Sequence, residues 1–380
     1  MNITIVADVL GKENNGTTVT IKRLISHLKA RGHAVKVVSA TQSDEEGYYT
    51  LPKRNFYIFN GYMQKNGVVL AEPDDDILRQ AISGADVVHI VLPFRTGKHT
   101  VKLCKEMGIP FTTATHCQAE NVTAHVGMKD FKLANDIVYR YMYETFYKDT
   151  RFVHCPSQTM ANILREHGYN MDIRVISNGV EKAYCKKEGV ARPAEWKDKF
   201  VVMFVGRLSR EKMHKTLIKA VSLSRHKEDI QLVFAGDGPL KKRLQKMGGT
   251  LPNPPQIGFH PQAELVDLLN AADLYVHPSV AEIEAISCLE AISCGLVPVI
   301  SDSKASATNQ FALTEHNLFK NGDAKSLAEK IDFLIENPDI LSELKEKYES
   351  FSKEYAIENC IDKMEKMFSD AAAYYKKENA

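Results

Sequence analysis

The sequence predicts an α/β protein made of two doubly wound domains. Three observations support this prediction. Short β-branched runs alternate with segments of helical periodicity, the alternation pauses once, and a glycine-bearing loop follows the first strand of each half. The length of 380 residues also favours two domains over one. Ligands of such domains bind at the carboxyl ends of the strands, so residues there are the first candidates for function.

The first half of the chain opens with a βαβ unit. Strands are predicted at residues 3–7, 34–39, 87–92, 110–115 and 153–157. Between the first two, residues 19–30 carry apolar side chains at helical spacing, and Gly32 ends that helix. The βαβ order implies parallel strands. His116 stands at the end of one strand, and Ser157 is placed to cap the next helix.

The second half repeats this alternation after a pause. Strands are predicted at residues 200–206, 230–236, 274–277 and 296–301. The pause covers Ser177–Val180 and the charged run Glu181–Asp198. We therefore predict an N-terminal domain of residues 1–180 and a C-terminal domain of residues 181–352, facing each other across a cleft. Residues 353–380 are predicted to form a helix that packs back on the N-terminal domain.

Composition excludes several classes of protein. A net charge of +1 disfavours a general nucleic-acid binder. No apolar run reaches the roughly 18 residues of a membrane span, and Asp8 interrupts the apolar N-terminus, which argues against a signal peptide. Seven cysteines without a CxxC pair favour a reducing cytoplasm over a disulfide framework. We expect a cytoplasmic protein.

Two glutamates near a predicted helix start are the most informative feature. Glu282 precedes the helix, Glu290 lies inside it, and Gly295 ends it. The unpaired N–H groups of a helix start near Ala285 and Ile286 suit a diphosphate. The two carboxylates then reach opposite ends of an elongated ligand, as the hydroxyls of a nucleotide-sugar require. Two solvated glutamates are the alternative.

Cations follow the first strand of the second half. Gly206 lets the backbone approach a ligand, and Arg207 and Lys212 supply positive charge for a diphosphate. Such cations also stabilise a diphosphate as a leaving group. The alternative is a solvated basic loop, which is the interpretation we favour for Arg210.

The order of these motifs resembles the family-four retaining glycosyltransferases of GT-B fold. The resemblance rests on Gly206-Arg207 with Lys212, on Phe234–Leu240, Gly258-Phe259, Ala271–Leu274 and Glu282–Glu290, and on Gly295 and Pro298. It covers the whole C-terminal half. It implies two Rossmann-like domains that face each other and a nucleotide-sugar substrate held mainly by the second. It implies no metal and no cofactor, because cations replace the metal.

The resemblance also implies roles for individual residues. Glu282 would contact the donor sugar and Glu290 the ribose hydroxyls. Arg207 and Lys212 would bind the diphosphate, and the base would lie near Gly258-Phe259. Ala285 and Ile286 would contribute the helix start.

This chain departs from the family pattern directly after Glu282. Many members have Gly-Phe-Gly there, whereas this chain has Ile283-Glu284-Ala285, which makes the loop stiffer. The change adds Glu284, for which we predict a position at the surface.

The N-terminal half offers two further candidates. Residues 14–18, with Gly16, follow the first strand, where the family has a glycine loop near the donor phosphates and the acceptor. Thr17 stands where a Walker loop needs Lys, and GxGxxG is absent, which disfavours ATPase and NAD-binding functions. In the family, a His at the place of His116 meets the donor sugar and acceptor; a structural His is the alternative.

A narrower resemblance concerns the acceptor. Residues 15–18, 44–49, 284–293 and 306–313 look like the bacterial branch that glucosylates membrane lipids such as cholesterol and diacylglycerol. We expect transfer of a hexose, glucose first, from a UDP-sugar to a lipid hydroxyl with retention. Extension of a polysaccharide or lipid-linked oligosaccharide is the alternative. A nucleotide-sugar epimerase or phosphorylase and a non-enzymatic sensor are further ones.

Residues 128–152 are the candidate membrane face. This stretch combines aromatic residues with five cations, a composition that suits a lipid interface, although four acidic residues dilute the positive charge. A helix packed against the sheet would need the same aromatic residues, so both interpretations stay open. The lipid hypothesis places the protein at the inner face of the cell membrane.

Overall fold

The computed structural model describes residues 1–8, 10, 16–55, 70–123 and 131–378. The chain divides into two compact units. Unit 1 comprises Met1–Asn178 and Cys360–Ala380, and unit 2 comprises Gly179–Asn359. The corresponding predicted limits were residues 180/181 and 352/353.

Unit 1 is built on a sheet of seven parallel strands in the order β3-β2-β1-β4-β5-β6-β7. The strands are β1 (Asn2–Val6), β2 (Ala34–Ser39), β3 (Tyr48–Thr50), β4 (Val87–Ile90), β5 (Phe111–Ala114), β6 (Phe152–Cys155) and β7 (Asp172–Val175). The central strands are buried on both faces, as parallel strands covered by helices must be, which explains their continuous apolar runs. The strand order reverses between β1 and β4, which marks the topological switch point of this sheet.

Two helices of unit 1 begin at a side-chain cap. The unit contains α1 (Gly16–Ala30), α2 (Asp75–Ile82), α3 (Arg95–Met107), α4 (Ala119–Thr123), α5 (Lys132–Met142) and α6 (Gln158–Glu166). Asp74 accepts hydrogen bonds from the N–H groups of Asp76 and Ile77, and Ser157 accepts one from Met160. A π-helical turn at residues 143–147 follows α5.

The last helix of the chain, Ile357–Glu378, belongs to unit 1 from residue 360 onward. Its apolar side packs on the sheet, where the ring of Phe368 lies 5.3 Å from that of His89. Its polar side is tied by Arg174, which donates to Asp370 at 3.0 Å, and by Arg31, which donates to Glu365 at 2.8 Å.

Unit 2 has a six-stranded parallel sheet in the order β10-β9-β8-β11-β12-β13. Its strands are β8 (Phe200–Val205), β9 (Ile230–Ala235), β10 (Gln256–Gly258), β11 (Leu274–His277), β12 (Pro298–Ser301) and β13 (Leu318–Phe319). Its helices are α7 (His214–Leu223), α8 (Lys241–Gly248), α9 (Gln262–Ala271), α10 (Ile286–Ser293), α11 (Ala324–Glu336) and α12 (Pro338–Ser352). Here the switch point lies between β8 and β11. None of the described helices in either unit combines the length and apolar character that a bilayer-spanning helix needs.

The sequence analysis missed four strands, and all four are edge strands. These are β3 and β7 in unit 1 and β10 and β13 in unit 2. Each has two to four residues and little of the continuous apolar character of the inner strands. Edge strands bury only part of their surface, so sequence periodicity marks them weakly.

Candidate functional site

The candidate site of unit 2 lies at the switch point of its sheet. Gly206 follows β8, His277 ends β11, and residues 282–286 lead into α10. A Cβ atom on Gly236 would lie 2.0 Å from the carbonyl oxygen of Gly206, so the loops after β8 and β9 pack backbone against backbone. Gly206 itself has a φ of 147°, a conformation that favours glycine.

Glu282 and Lys212 form an ion pair at this switch point. Lys212 Nζ donates to Glu282 Oε1, and the two side chains are only 19% and 11% exposed. His277 Nε2 lies 2.9 Å from the same oxygen. Burial raises the pKa of the Glu282 carboxyl, but Lys212 and His277 outweigh burial and hold that pKa well below its ordinary value. Glu282 is therefore a carboxylate and accepts hydrogen bonds only.

The backbone of Glu282 is anchored by the loop after β12. Its N–H donates to the Ala305 carbonyl at 3.2 Å, and its carbonyl accepts from Ala307 N–H at 2.9 Å. Ser303 Oγ donates to the Val280 carbonyl at 2.6 Å. The Ala307 hydrogen bond and the β-bridge between Glu282 and Ser306 place the start of the 306–313 segment, which contributed to the narrower resemblance, directly beside Glu282.

Two non-glycine residues with left-handed backbone flank the ion pair. Met213, directly after Lys212, has φ 52°, and Ala285, directly before α10, has φ 64°. Ala285 occupies a position where many members of the family that the chain resembles have glycine. The chain therefore keeps the left-handed backbone conformation but has alanine instead of glycine there. Strain of this kind, on the order of 1 kcal/mol each, is concentrated at functional sites.

The prediction that Glu284 lies at the surface was wrong. Its side chain is only 3% exposed. Residues 282–286 run between the end of the sheet and α10, where Ala285 packs on the core of unit 2, rather than over the outside of the domain. The segment 282–286 therefore buries the acidic side chain of Glu284, which the polarity of the sequence alone does not indicate.

The other predicted donor-binding residues lie on neighbouring elements. Arg207 is exposed after β8 and forms no ion pair with any residue that the structure describes. Phe259 follows β10 with 74% of its surface exposed. Gly258 accepts a hydrogen bond through its carbonyl from Gly236 N–H at 2.6 Å, which joins the β10 loop to the β9 loop. Glu290 is buried on α10.

Sequence reasoning missed a polar network behind Glu282. His277 and Tyr275 on β11 are fully buried, and Tyr275 Oη lies 3.0 Å from His277 Nδ1. Ser279 Oγ lies 3.0 Å from His277 Nε2, and Ser287 Oγ lies 3.3 Å from Tyr275 Oη. One signal was available: His277 is a polar residue at the carboxyl end of a strand, five positions before Glu282.

His116 in unit 1 lies after β5 beside a small cavity. His154 and His89 line the same cavity, as do Ser177 and Asn178. Burial lowers the pKa of His116 to about 3, with a further contribution from His154. His154 donates from Nε2 to the Ile176 carbonyl at 2.8 Å, which leaves its buried Nδ1 as an acceptor without a partner among the described residues. The site around His116 is thus a neutral imidazole cluster with one open acceptor.

Gly16 is the first residue of α1 and is exposed. A Cβ atom there would contact nothing within 4 Å, so packing does not require glycine at this position. Residues 14 and 15 of the predicted glycine loop lie outside the described residues.

Two family profiles match the chain. The profile described as Glycosyltransferase Family 4 matches residues 14–184, and the one described as Glycosyl transferases group 1 matches residues 187–355. They meet at the boundary of the two units. Together with the two parallel-sheet domains, they show that the chain belongs to the family-four glycosyltransferases and has the GT-B fold.

Individual proteins and solved structures are similar to this chain. An alpha-monoglucosyldiacylglycerol synthase from Streptococcus pneumoniae is 23% identical over 90% of this chain and 80% of its own length. The catalytic domain of the cholesterol-alpha-glucosyltransferase from Helicobacter pylori is 43% identical, over 41% of this chain and 99% of that domain, with a TM-score of 0.40. The structure of Anabaena HepE in complex with UDP and glucose has a TM-score of 0.74 at 16% identity and covers 97% of this chain and 100% of that one.

Proposed function

We propose that this glycosyltransferase moves glucose from UDP-glucose to a membrane-lipid hydroxyl such as that of diacylglycerol, with retention, giving an α-glycolipid. The observation that carries the proposal is the Glu282–Lys212 pair at the switch point of unit 2, directly before the start of α10. A carboxylate for sugar hydroxyls and a cation for a diphosphate stand side by side there. These are the two chemical groups that a nucleotide-sugar presents next to its reacting bond.

The remaining contacts follow the length of the donor. Phe259 is exposed at the end of β10, and its ring face is suited to stacking on a base. Glu290 would accept from the ribose hydroxyls, and Arg207 would join Lys212 on the diphosphate. Stacking on Phe259 does not distinguish uracil from another base, so the choice of UDP is supported by the relatives, among them Anabaena HepE in complex with UDP and glucose.

The proposed reaction breaks the bond between the anomeric carbon and the diphosphate oxygen. Positive charge develops on the sugar, and negative charge on the leaving UDP is stabilised by Arg207, Lys212 and the N–H groups at Ile286. The acceptor hydroxyl approaches from the same face, and a phosphate oxygen of the leaving group takes its proton. Glu282 orients the sugar and does not attack it. His116 is proposed to contact the donor sugar and acceptor.

A lipid acceptor is supported by an exposed apolar face on α5. Phe131, Leu133, Ile137 and Tyr141 are each more than half exposed, and the last three repeat every four residues along one side of the helix. Lys132 and Arg140 are exposed there and form no ion pair within the described part of the chain, whereas Asp136 is bonded to His167 at 3.0 Å. We name these four apolar residues the α5 face. Apolar side chains flanked by exposed cations suit an anionic lipid surface.

The α5 face differs from the aromatic stretch that the sequence suggested. Tyr139, Phe146 and Tyr147 are core residues of unit 1, and residues 128–130 lie outside the described residues. Leu133 and Ile137 carry the exposed apolar area instead. Part of the aromatic signal was therefore packing against the sheet, as the alternative interpretation held.

The experiment offers radiolabelled UDP-glucose, UDP-galactose and GDP-mannose with vesicles containing diacylglycerol, vesicles containing a sterol, and a water-soluble glycan. We expect label from UDP-glucose in the organic phase with diacylglycerol, in a product that an α-glucosidase cleaves. Label only in the water-soluble glycan would overturn the lipid acceptor and leave the transferase in place. Conversion of UDP-glucose to an epimer without any acceptor would instead favour an epimerase.

The membrane contact is tested separately by co-sedimentation with anionic liposomes at low salt. Ile137→Glu should lower the bound fraction several-fold, because it adds a negative charge to the centre of the α5 face. Leu223→Glu is the matched control, since Leu223 is 50% exposed on unit 2, outside that face. Equal binding of both variants would contradict a docking role for α5.

A further inference from the structure

A chain of three buried polar side chains ends at the donor-site carboxylate. Tyr275 Oη lies 3.0 Å from His277 Nδ1, and His277 Nε2 lies 2.9 Å from Glu282 Oε1. Tyr275 and His277 are both fully buried on β11. The resemblance to the family assigned no role to either residue.

The chemistry of the three groups fixes where the protons lie. Burial lowers the pKa of His277, more than the neighbouring Glu282 raises it, so the imidazole is neutral and carries one proton. Burial holds the pKa of Tyr275 well above its ordinary value, so the phenol keeps its proton. Because Glu282 accepts only, His277 must donate from Nε2 and must accept from Tyr275 at Nδ1.

Both hydrogen bonds to the Glu282 side chain fall on one oxygen. Lys212 Nζ and His277 Nε2 donate to Oε1, and none of the described residues donates to Oε2. The Glu282 backbone is held on both sides by Ala305 and Ala307. The carboxylate is therefore fixed with one oxygen satisfied by protein and the other left for a ligand.

We propose that His277, itself oriented by Tyr275, is a positioning residue that holds Glu282 so that Oε2 meets a hydroxyl of the donor sugar. The proposal rests on the proposed donor and deepens it. When a diphosphate is bound, Lys212 interacts with two anions, the diphosphate and the Glu282 carboxylate. It then holds the carboxylate less firmly than it does in the absence of the donor. His277 is uncharged and fully buried, so the diphosphate attracts it less than it attracts Lys212. His277 therefore keeps the orientation of Glu282 while Lys212 moves toward the diphosphate.

The test is a double-mutant cycle on sugar recognition. His277→Leu, His277→Gln, Glu282→Gln and the double variant His277→Leu/Glu282→Gln are titrated calorimetrically with UDP-glucose and with UDP. The readout is the affinity ratio of the two ligands, which needs no acceptor and no turnover. A hydrogen bond to a charged group corresponds to about 10-fold or more in affinity. We expect His277→Leu to lower the ratio about 10-fold with UDP affinity unchanged, and His277→Gln to retain most of it, because its amide N–H replaces Nε2–H.

In the Glu282→Gln background, His277→Leu should change the ratio less than about 3-fold, since its effect passes through the carboxylate. An equal loss in both backgrounds, or a parallel loss of UDP affinity, would overturn the positioning role and leave the proposed donor intact. A wild-type protein that binds neither UDP-glucose nor UDP would overturn the proposed donor itself, and with it the role of Oε2. Should His277→Leu fail to fold, Tyr275→Phe decides the same question: it removes the donor to His277 Nδ1, so it should lower the ratio in the wild-type background and leave it nearly unchanged in the Glu282→Gln background.

Discussion

Removing the lysine of the Glu282–Lys212 pair separates the structural from the functional role of that pair. Lys212→Met keeps the length and apolar stem of the side chain but removes its charge. Glu282 is then left as a nearly buried carboxylate whose remaining contact is His277. We expect this substitution to destabilise unit 2 and to abolish efficient transfer.

The size of the effect follows from burial. Breaking a fully buried ion pair by removing one partner costs about 3–5 kcal/mol. Here the two side chains retain 19% and 11% exposure, and the hydrogen bond from His277 survives. The expected loss in the free energy of unfolding is therefore smaller, about 2 kcal/mol. Lys212→Met/Glu282→Gln removes the stranded charge and should recover at least half of that loss, without recovering transfer activity.

The protein supplies its own probe for this measurement. Trp196 is the single tryptophan of the sequence, and it lies in unit 2, 1% exposed, with Nε1 donating to Gln256 at 2.8 Å. Urea unfolding followed by tryptophan fluorescence at pH 7 thus reports on the unit that carries the pair. A Lys212→Met protein as stable as the wild type, or a double variant less stable than the single one, would show that the pair does not stabilise unit 2 in this way.

Three further predictions concern backbone strain, loop packing and pH. Ala285→Gly should raise the unfolding free energy of unit 2 by about 0.5–1 kcal/mol because it relieves a φ of 64°, whereas Ala291→Gly within α10 should lower it; fluorescence-monitored urea unfolding compares them. Gly236→Ala should lower that free energy by about 2 kcal/mol or more and weaken UDP binding, because its Cβ would lie 2.0 Å from the Gly206 carbonyl; unchanged unfolding and UDP titrations would contradict this. Burial lowers the pKa of His154 to about 4. Below pH 6.5, His154 is therefore protonated in the unfolded chain but stays neutral in the folded one. Stability of unit 1 should therefore fall from pH 6.5 toward 4, by about 2 kcal/mol at pH 5 from this residue. His154→Gln should reduce the difference between pH 7 and pH 5 by that amount in urea unfolding followed by circular dichroism, and an unchanged pH difference would contradict it.

The inner strands were predictable because each is a continuous apolar run buried on both faces. The edge strands β3, β7, β10 and β13 were missed because a strand paired on one side is short and need not be apolar. Strands were therefore predicted where the fold requires apolar residues, and they were missed where it does not.

The parts of the candidate site that follow from the order of motifs along the sequence were predictable. Lys212 and Glu282 were assigned to one ligand from motif order alone, and the structure brings them into contact. Tyr275 and His277 were missed because their role depends on which atoms face Glu282, and only the tertiary structure determines that. Glu284 was misplaced because charge predicts exposure only where a loop runs over the surface.

We propose that cations after β8 bind the donor diphosphate and stabilise the leaving group, and two arginines three positions apart allow a direct test. Arg207 and Arg210 are both exposed in the same loop, so either substitution removes one positive charge from it. The decisive measurement is the kcat/KM for UDP-glucose of Arg207→Ala beside that of Arg210→Ala. We expect a loss of about 100-fold or more for Arg207→Ala and less than about 3-fold for Arg210→Ala. Near-normal transfer by Arg207→Ala, or equal losses in both variants, would contradict it.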